Sequence, residues 1–516
     1  MKLRRLAVSL SFLFAAALRA DAPGVYAITG GTVHTAAGAD IANGTVVIRD
    51  GLIEAIGASV AAPADATVID AKGAHVYPGL IDAQTSFGIA SPKDKSEPTA
   101  DALAVRVFKA SDDELDARRR TGVTTIVTAP SYGIFQGQSA ILNLGNGALE
   151  TQVIKSPAAM QIAFLPRATW TFPDSLMGVI ADIRQTLLDA QQYAAARDLY
   201  DKAPAGLQRP AESAALAAFG PVLRRDLPVV FIADSELMMQ RALKIARESN
   251  LRIILSGARQ AYRMNAAELK GVSLLVSVNW PAAPANKDDR EEQPLRVIRD
   301  RQLQPTTPSV LVKNGAMFAL VSGSGKTGDF LPGIRKAIDN GLSADDALRA
   351  TTLWPARIFG IDRQLGSLER GKIANVVVSD KPLFTKDAKV TRVFVDGREL
   401  RLPAEEKKEE KTASPIDGTW SLSVRAPEGN IAITLTLRTE DGKLSGTFSG
   451  DRGSGDIRGG TFTDNKNFEL TLSAAAQNAE AEHTDWIFRG TVDGDAMQGN
   501  VTTTIGTWAF TGSRSK

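Results

Sequence analysis

Polar side chains stand at the ends of short apolar runs in this sequence, where they could take part in binding or catalysis. The run Leu80–Ala83 leads to Gln84 and Ser86, and Asp234 directly follows the run Val229–Ala233. Carboxylates at such positions act as general acids or bases when two of them converge on one substrate. The sequence leaves open whether any pair of Asp or Glu residues does so here, and no catalytic residue is assigned.

Metal-assisted hydrolysis is the second chemistry to consider. It needs imidazoles and carboxylates placed close together, which hold the ion and lower the pKa of its bound water. The chain has three histidines, His34, His75 and His483, and no cysteine. They lie in three separate parts of the sequence, and no His-x-His pair occurs. We therefore predict no metal and no other cofactor.

Two further motifs point to chemistry less directly. Gly325-Lys326-Thr327 after a predicted strand is half of a phosphate-binding loop, but Leu320 occupies the position where that motif needs glycine. A loop at a strand end is the favoured interpretation. A Ser/His/Asp triad is disfavoured as well, because neither His34 nor His75 is expected at a catalytic face.

Composition and the first residues set the outer limits. The 516 residues are 44% hydrophobic with a formal net charge of +2, which gives no electrostatic case for nucleic acid. Residues 1–22 predict a signal peptide, because Lys2, Arg4 and Arg5 precede the apolar run Leu6–Leu18. We expect an exported protein, periplasmic or extracellular. The run is shorter than the ~20 residues of a membrane span, so no span is expected after cleavage.

Two β segments flank a long α/β region. The runs that end in Asp50-Gly51 and Asp396-Gly397 are strong hairpin signals. Residues 23–78 and 365–402 predict one composite β-sandwich domain built from both flanks. Residues 79–364 alternate strands with helices, which favours an α/β fold of the (β/α)8 type, a TIM-like barrel that typically needs ~250 residues.

A third part follows the α/β region. Residues 403–415 hold the mixed-charge run Glu405–Lys411 and predict a solvated linker. Residues 416–516 predict a small antiparallel β-barrel or sandwich, since alternating strands carry a recurring Gly-Thr-aromatic triplet. These aromatics are more often core than ligand cage; a carbohydrate, lipid or protein contact stays open.

Three stretches resemble metal-dependent amidohydrolases. Val76–Ser86, with its Pro-Gly-Leu-Ile-Asp, resembles the opening of their barrel, and Leu365–Asn375 resembles the closing signature of their composite domain. Ala347–Ala356 resembles the last barrel helix of the imidazolonepropionase-like members. The resemblance covers about residues 25–400. It implies a hydrolase of carbon–nitrogen bonds other than peptide bonds, which uses hydroxide bound to zinc or another divalent metal.

The resemblance also implies where that metal site should lie, and no histidine stands there. Gln84 and Ser86 occupy the first two histidine positions, Ile232 the third, and Arg259 the nearest match to the fourth. The expected bridging acid is missing near Arg167. The pocket expected from the resemblance is lined by Gln84, Ser86, Arg167, Ile232, Asp234, Arg259 and Ser322.

Three functions remain open at this point. The chain could be a family hydrolase by descent, or a catalytically silent member, a pseudoenzyme, that binds a small molecule or a partner. It could also hydrolyse without metal, through carboxylates at the barrel mouth. The catalytically silent form is preferred, because the family's metal-binding side chains are missing.

Three further expectations concern single residues and assembly. Asp82 is assigned to the scaffold, and Asp234 is expected to cap the helix that starts near Ser235. Whether the chain forms a homo-oligomer stays open.

Overall fold

The computed structural model describes residues 24–90, 99–167, 171–284, 293–323, 327–402, 414–426, 429–440, 442–450, 453–474, 484–503 and 506–515. The chain divides into two compact units, Met1–Leu402 and Pro403–Lys516. The predicted signal peptide, most of the predicted linker, and His483 lie outside the described residues. Within those residues, no helix has both the length and the apolar character needed to cross a membrane.

The first unit contains a composite sheet and a barrel. Its strands are β1 (Tyr26–Val33), β2 (Ile41–Arg49), β3 (Leu52–Gly57), β4 (Thr67–Asp70), β5 (His75–Pro78), β6 (Leu80–Thr85), β7 (Val123–Thr128), β8 (Phe135–Gln138), β9 (Ala140–Asn143), β10 (Val153–Lys155), β11 (Met160–Ala163), β12 (Val229–Ala233), β13 (Ile253–Gly257), β14 (Ser273–Ser277), β15 (Phe318–Val321), β16 (Val376–Ser379), β17 (Val390–Val395) and β18 (Arg398–Leu400).

Helices cover the barrel strands from outside. They are Ala104–Val107, Asp112–Arg120, Leu149–Gln152, Leu176–Lys202, Ala214–Ala217, Gly220–Leu223, Glu236–Glu248, Leu295–Leu303, Thr307–Lys313, Phe330–Asp339, Ala344–Ala350 and Leu353–Phe359. Short 3₁₀ turns lie at Ala261–Arg263, Gln304–Thr306 and Thr327–Asp329.

The composite sheet joins the two flanks of the barrel, as the sequence predicts. Its strand order is β18-β17-β16-β5-β1-β2-β3, with β4 beside β1. The flanks meet where β16 runs antiparallel to β5, with Val376 opposite Pro78. Ile28, Val46 and Phe394, from three different strands, share one buried cluster. The sheet therefore cannot form until both ends of the barrel sequence have come together.

The two predicted hairpin turns contact each other at this junction. Asp50 and Asp396 have φ of 51° and 50°, and the glycines that follow them also have positive φ. A Cβ on Gly397 would lie 2.5 Å from the Cα of Gly51. Ala374 donates its amide to the Gly51 carbonyl and accepts from the Gly397 amide, at 2.9 and 3.0 Å. Glycine is required here both by φ and by the close approach of two backbones.

The barrel is built from seven parallel strands and one reversed segment. β6 pairs with β7, and β11 to β15 form a second parallel run. Between them, β9 pairs antiparallel with β7 and β8 pairs antiparallel with β11. Residues 129–134 connect β7 to β8. That link is too short for a parallel crossover, which takes about a dozen residues or more. The third position of the predicted (β/α)8 barrel is therefore filled by β8 and β9, which run antiparallel to their neighbours.

The barrel closes between its first and last strands. Thr85 at the end of β6 bridges Gly323 beyond the end of β15, and the Gly323 amide donates to the Gln84 carbonyl at 3.0 Å. β6 and β7 are buried at every position, as expected for strands covered on both faces. One buried cluster that includes Ile81 and Val230 takes a residue from most of the barrel strands.

The second unit is a closed antiparallel barrel, which matches the prediction of a small β domain. Its strands are β19 (Gly418–Ala426), β20 (Gly429–Glu440), β21 (Lys443–Gly450), β22 (Gly453–Thr463), β23 (Asn467–Ala474), β24 (Thr484–Asp493), β25 (Ala496–Thr503) and β26 (Gly506–Arg514). The triplet aromatics Trp420, Phe448 and Phe462 are buried in its core, and Trp508 packs against that core. These rings fill the interior rather than line a cage.

We predict that Gly397→Ala destabilises the first unit, because the new methyl group meets the Gly51 backbone at a left-handed position. Gly371→Ala is the matched control: its φ is +85° and nothing lies within 4 Å of the added Cβ. Both variants carry the backbone strain of ~1 kcal/mol. The clash should cost Gly397→Ala about 1–3 kcal/mol more in urea unfolding. Equal losses in both variants would contradict the packing argument.

Candidate functional site

A polar cavity of about 270 Å³ opens at the carboxyl ends of the barrel strands. Loops at this end of a (β/α)8 barrel carry the active site in characterised enzymes of the fold. Its lining residues come from the ends of the seven parallel strands, the loops that follow them, and the start of the reversed β8; they are Gln84, Thr85, Ser86, Ala129, Ser131, Gln136, Leu165, Ile232, Asp234, Ser256, Gly257, Arg259, Ser277, Asn279, Val321 and Gly323.

Five of the residues expected at the pocket line this cavity together: Gln84, Ser86, Ile232, Asp234 and Arg259. They belong to β6, β12 and β13 or directly follow these strands. Parallel strands place their carboxyl ends at one edge, so residues some 170 positions apart in sequence meet there. The polar residues Ser131, Gln136 and Asn279 were not anticipated. The sequence could have indicated two of them, because Ser131 and Asn279 closely follow β7 and β14.

Arg167 does not line the cavity. It lies on the loop after β11, where its guanidinium donates from Nη1 to the Phe172 carbonyl at 2.7 Å and its backbone amide donates to the Pro173 carbonyl at 2.8 Å. These bonds turn the side chain along its own loop. Leu165 of the same loop contributes to the lining instead. The expectation that Arg167 faces the pocket is therefore wrong.

Ser322 also lies outside the lining, beneath the cavity. Its Oγ donates to Oδ2 of Asp82 at 2.5 Å, and its backbone amide donates to Oδ1 of the same carboxylate at 3.0 Å. Both groups are buried, with Asp82 fully inaccessible. The serine thus binds the first strand of the barrel to the end of the last. The expected pocket role of Ser322 is replaced by this structural one.

Arg118 supplies the charge that the buried Asp82 carboxylate needs. Its Nη1 lies 2.8 Å from Oδ2 of Asp82, and its Nη2 donates to Oγ1 of Thr85 at 3.2 Å. The guanidinium carbon stands 4.9 Å from the centre of the Phe87 ring, a cation–π contact. Leu115 and Arg118, three positions apart on one helix, are both buried. Residues three apart lie on the same face of a helix, so the spacing indicates that Arg118 faces inward together with Leu115.

Asp234 and Arg259 form an ion pair at the rim. Nη2 of Arg259 lies 2.9 Å from Oδ2 of Asp234, and Nη1 donates to the Asn279 carbonyl at 2.8 Å. Gly257, with φ of +90°, makes room, because a Cβ there would stand 2.1 Å from Oδ1 of Asp234. Ser235, not Asp234, caps the helix Glu236–Glu248 by accepting from the Met238 amide. The predicted capping role of Asp234 is therefore wrong.

One cavity-lining amide, Gln84, pairs with a second amide, Gln161, which does not line the cavity. Nε2 of Gln84 donates to Oε1 of the fully buried Gln161 at 3.2 Å. Among the described residues, Oε1 of Gln84 and Nε2 of Gln161 are buried atoms without a hydrogen-bond partner. Buried polar atoms are rarely left unpaired, because each costs about 1–3 kcal/mol. Both unpaired atoms are closed off from solvent, so the Gln84–Gln161 contact packs the barrel interior rather than offering free groups to the cavity.

The donor set does not suit the divalent metal that the resemblance implies. Zinc takes imidazole, thiolate and carboxylate ligands. In the described part of the chain, Asp234 is the one carboxylate on the cavity, and it already neutralises Arg259. No group of three His, Cys, Asp or Glu side chains able to hold a metal occurs in the described residues. His34 and His75 lie in the composite sheet rather than at the mouth.

Comparison with known proteins agrees with this architecture. The amidohydrolase family matches residues 141–400, half of the sequence. The chain belongs to the amidohydrolase family. A solved amidohydrolase from Thermotoga maritima superposes with a TM-score of 0.65 at 21% identity, over 73% of this chain and 99% of its own. At that identity the likeness shows the shared fold alone.

Matches among characterised relatives are short. An N-acetylglucosamine-6-phosphate deacetylase from Haemophilus influenzae is 45% identical over 53 residues, which is 10% of this chain and 13% of the relative. An adenine deaminase from Clostridium botulinum is 36% identical over 64 residues, which is 12% of this chain and 10% of the relative. The chain thus spans only a small part of the relatives it matches.

We predict that Arg118→Met lowers the free energy of unfolding by about 3–5 kcal/mol, because it leaves the Asp82 carboxylate buried without its counter-charge. Adding Asp82→Asn should recover at least ~1 kcal/mol of that loss. Arg184→Met is the control, since the Arg184–Glu248 pair is 39% exposed on each side. Its loss should stay below ~1 kcal/mol. Additive effects of the first two substitutions in urea unfolding would refute the pairing.

Proposed function

We propose that this amidohydrolase-family protein binds a small, uncharged amide in the cavity at the barrel mouth and does not hydrolyse it. The observation that carries the proposal is the pairing of Asp234 with Arg259 at 2.9 Å. The two formal charges offset each other, so Asp234 is held by a cation rather than free to activate water, and the unpaired group that Arg259 keeps is its buried Nε–H.

The lining supports an amide in particular. It combines the side-chain amides of Gln136 and Asn279 with the hydroxyls of Ser86 and Ser256. An amide ligand supplies both an N–H for an oxygen of these side chains and a C=O for one of their donors. Ile232 and Val321 add apolar surface to the same cavity. Ligand sites commonly combine an apolar lining with a few directed polar groups.

Metal-free hydrolysis is the less favoured alternative. A pair of carboxylates would have to converge on the bound substrate. Asp234 is the one carboxylate on the cavity within the residues that the structure describes, and 51% of its side chain is exposed.

We also propose that the protein is exported, because basic residues precede an apolar run within residues 1–22.

We predict that the purified, unchelated protein carries far less than one zinc, manganese or iron per chain by elemental analysis. Chelation should leave its melting temperature unchanged, since a bound metal would stabilise the folded state by mass action. Near-stoichiometric metal, lost together with several degrees of stability on chelation, would overturn the silent-site proposal. The ligands would then have to come from side chains other than those at the cavity.

We predict binding without turnover for a panel of small neutral amides, measured by calorimetry and by assay of released ammonia or amine in the same samples. Arg259→Gln should weaken binding about tenfold or more, because it frees the Asp234 charge at the rim. Arg167→Gln is the matched control and should leave binding unchanged, since Arg167 faces its own loop. Measurable amide hydrolysis by the unmodified chain would sink the proposal. So would equal affinity in the two variants.

A further inference from the structure

Two of the three histidines meet inside the first unit, away from the barrel mouth. Nε2 of His34 lies 3.0 Å from Nδ1 of His75, and Nδ1 of His34 lies 2.7 Å from Oδ2 of Asp40. The His34 ring also stacks on Tyr77, with centroids 4.3 Å apart and planes at 6°. His34 directly follows β1 and His75 opens β5, so the contact ties together two neighbouring strands of the composite sheet.

The distances fix how protons are arranged when both rings are neutral. A carboxylate only accepts, so the hydrogen of His34 must sit on Nδ1, facing Asp40. The Nε2 of His34 is then bare and accepts a hydrogen bond. His75 has to donate that bond from Nδ1, which selects the Nδ1–H form of its ring. One added proton can be accommodated on His34: His75 then carries its hydrogen on Nε2, and its bare Nδ1 accepts from Nε2–H of His34.

A second proton has no place in this arrangement. With both rings charged, Nε2 of His34 and Nδ1 of His75 each carry a hydrogen, and two donors face each other at 3.0 Å. Two positive charges also stand side by side in a partly buried site, and His34 is only 16% exposed. Asp40 can offset one of these charges. The contact between the rings must then break.

Among the described residues, the neighbours of His75 on its flanking strands offer no further negative charge to compensate a second proton on the histidine pair. On the strands that flank His75, the paired residues are Thr32 of β1 and Ser379 of β16, both neutral. Asp380 after β16 accepts from the Lys389 amide at 2.7 Å. Burial raises the pKa of Tyr77 to about 12, so its hydroxyl stays neutral and accepts from the Leu383 amide.

Charged groups also lie on the Asp40 side. Asp345 and Arg349 of the helix Ala344–Ala350 share a surface cavity with Asp40. Arg349 binds Asp346 on its own helix at 3.0 Å. Of these three groups, Asp345 and Arg349 line the cavity with Asp40, and their formal charges offset each other.

We infer that Asp40, His34 and His75 form an acid-sensitive clasp, which holds β1 to β5 while it carries at most one extra proton and opens when both imidazoles are charged. The clasp lies at the start of β5, the four-residue strand whose last residue, Pro78, leads into the first barrel strand. Its opening would therefore loosen the pairing of β1 with the strand that connects the sheet to the barrel. Nothing in this inference depends on the proposed ligand.

The direction of the pH effect follows from His75. Burial, and then the neighbouring His34, lower the pKa of the His75 imidazole from its ordinary value of 6.5. The unfolded chain therefore takes up this proton more readily than the folded one. The contribution to stability is present above about pH 6.5 and is lost as the pH falls below it.

The test is urea unfolding of the full chain between pH 7.5 and 5.0. Equilibrated samples are pulse-labelled with deuterium at one fixed pH, and peptides covering residues 26–78 report the unfolded fraction. Below pH 6.5 the folding constant of this region should fall about tenfold per pH unit for each extra proton bound by the unfolded chain. His75→Asn should abolish much of the fall, because its side-chain amide reproduces the Nδ1 contact without titrating. His483→Gln is the matched control and should preserve the fall.

A second measurement holds even where His75→Asn fails to fold. In the His483→Gln chain labelled with [15N]histidine, nitrogen spectra at pH 7.5 should show His75 in the Nδ1–H form. The His75 ring should titrate below its ordinary value of 6.5. An Nε2–H form of His75 at neutral pH would overturn the inference. So would titration of His75 at its ordinary value, or an unchanged pH slope in a folded His75→Asn variant.

Discussion

The structure of the first unit depends on one buried carboxylate, Asp82. It lies on the first barrel strand with no solvent access, where an isolated charge would be prohibitively costly. Arg118 reaches in from the helix before the second strand, and Ser322 from the end of the last strand donates two hydrogen bonds. The carboxylate is satisfied only when these three elements are together. The closed barrel and the paired charge therefore stabilise each other.

This arrangement separates the charged part of the barrel from the part open to solvent. The Asp82–Arg118 pair is buried and does not line the cavity, while the mouth presents amides, hydroxyls and the Asp234–Arg259 pair. The cavity therefore meets solvent with hydrogen-bonding side chains and one ion pair.

The composite sheet is a second place where distant segments depend on each other. Its two glycine turns contact through backbone atoms, and its β5 strand leads directly into the first barrel strand. His34 and His75 add a contact that is sensitive to protonation at the opposite end of β1 and β5 from these turns. The sheet and the barrel are joined by Pro78-Gly79 and by side-chain hydrogen bonds, since Asn375 donates to Thr125 and Asn143, and Asn143 donates to Asp396.

The sequence by itself determined the composite sheet, the barrel, the C-terminal β domain and five residues of the cavity, because strand patterns, turn glycines and strand ends are local features. It did not determine which polar groups pair. Asp82 and Ser322 are 240 positions apart, and Arg118 had to be placed by helix packing. Arg167 and Asp234 follow strands alike, yet one turns along its loop and the other meets Arg259. The antiparallel segment β8–β9 likewise depends on the tertiary structure, because it pairs with β7 on one side and β11 on the other. Such choices rest on distances between remote segments, which only the folded chain decides.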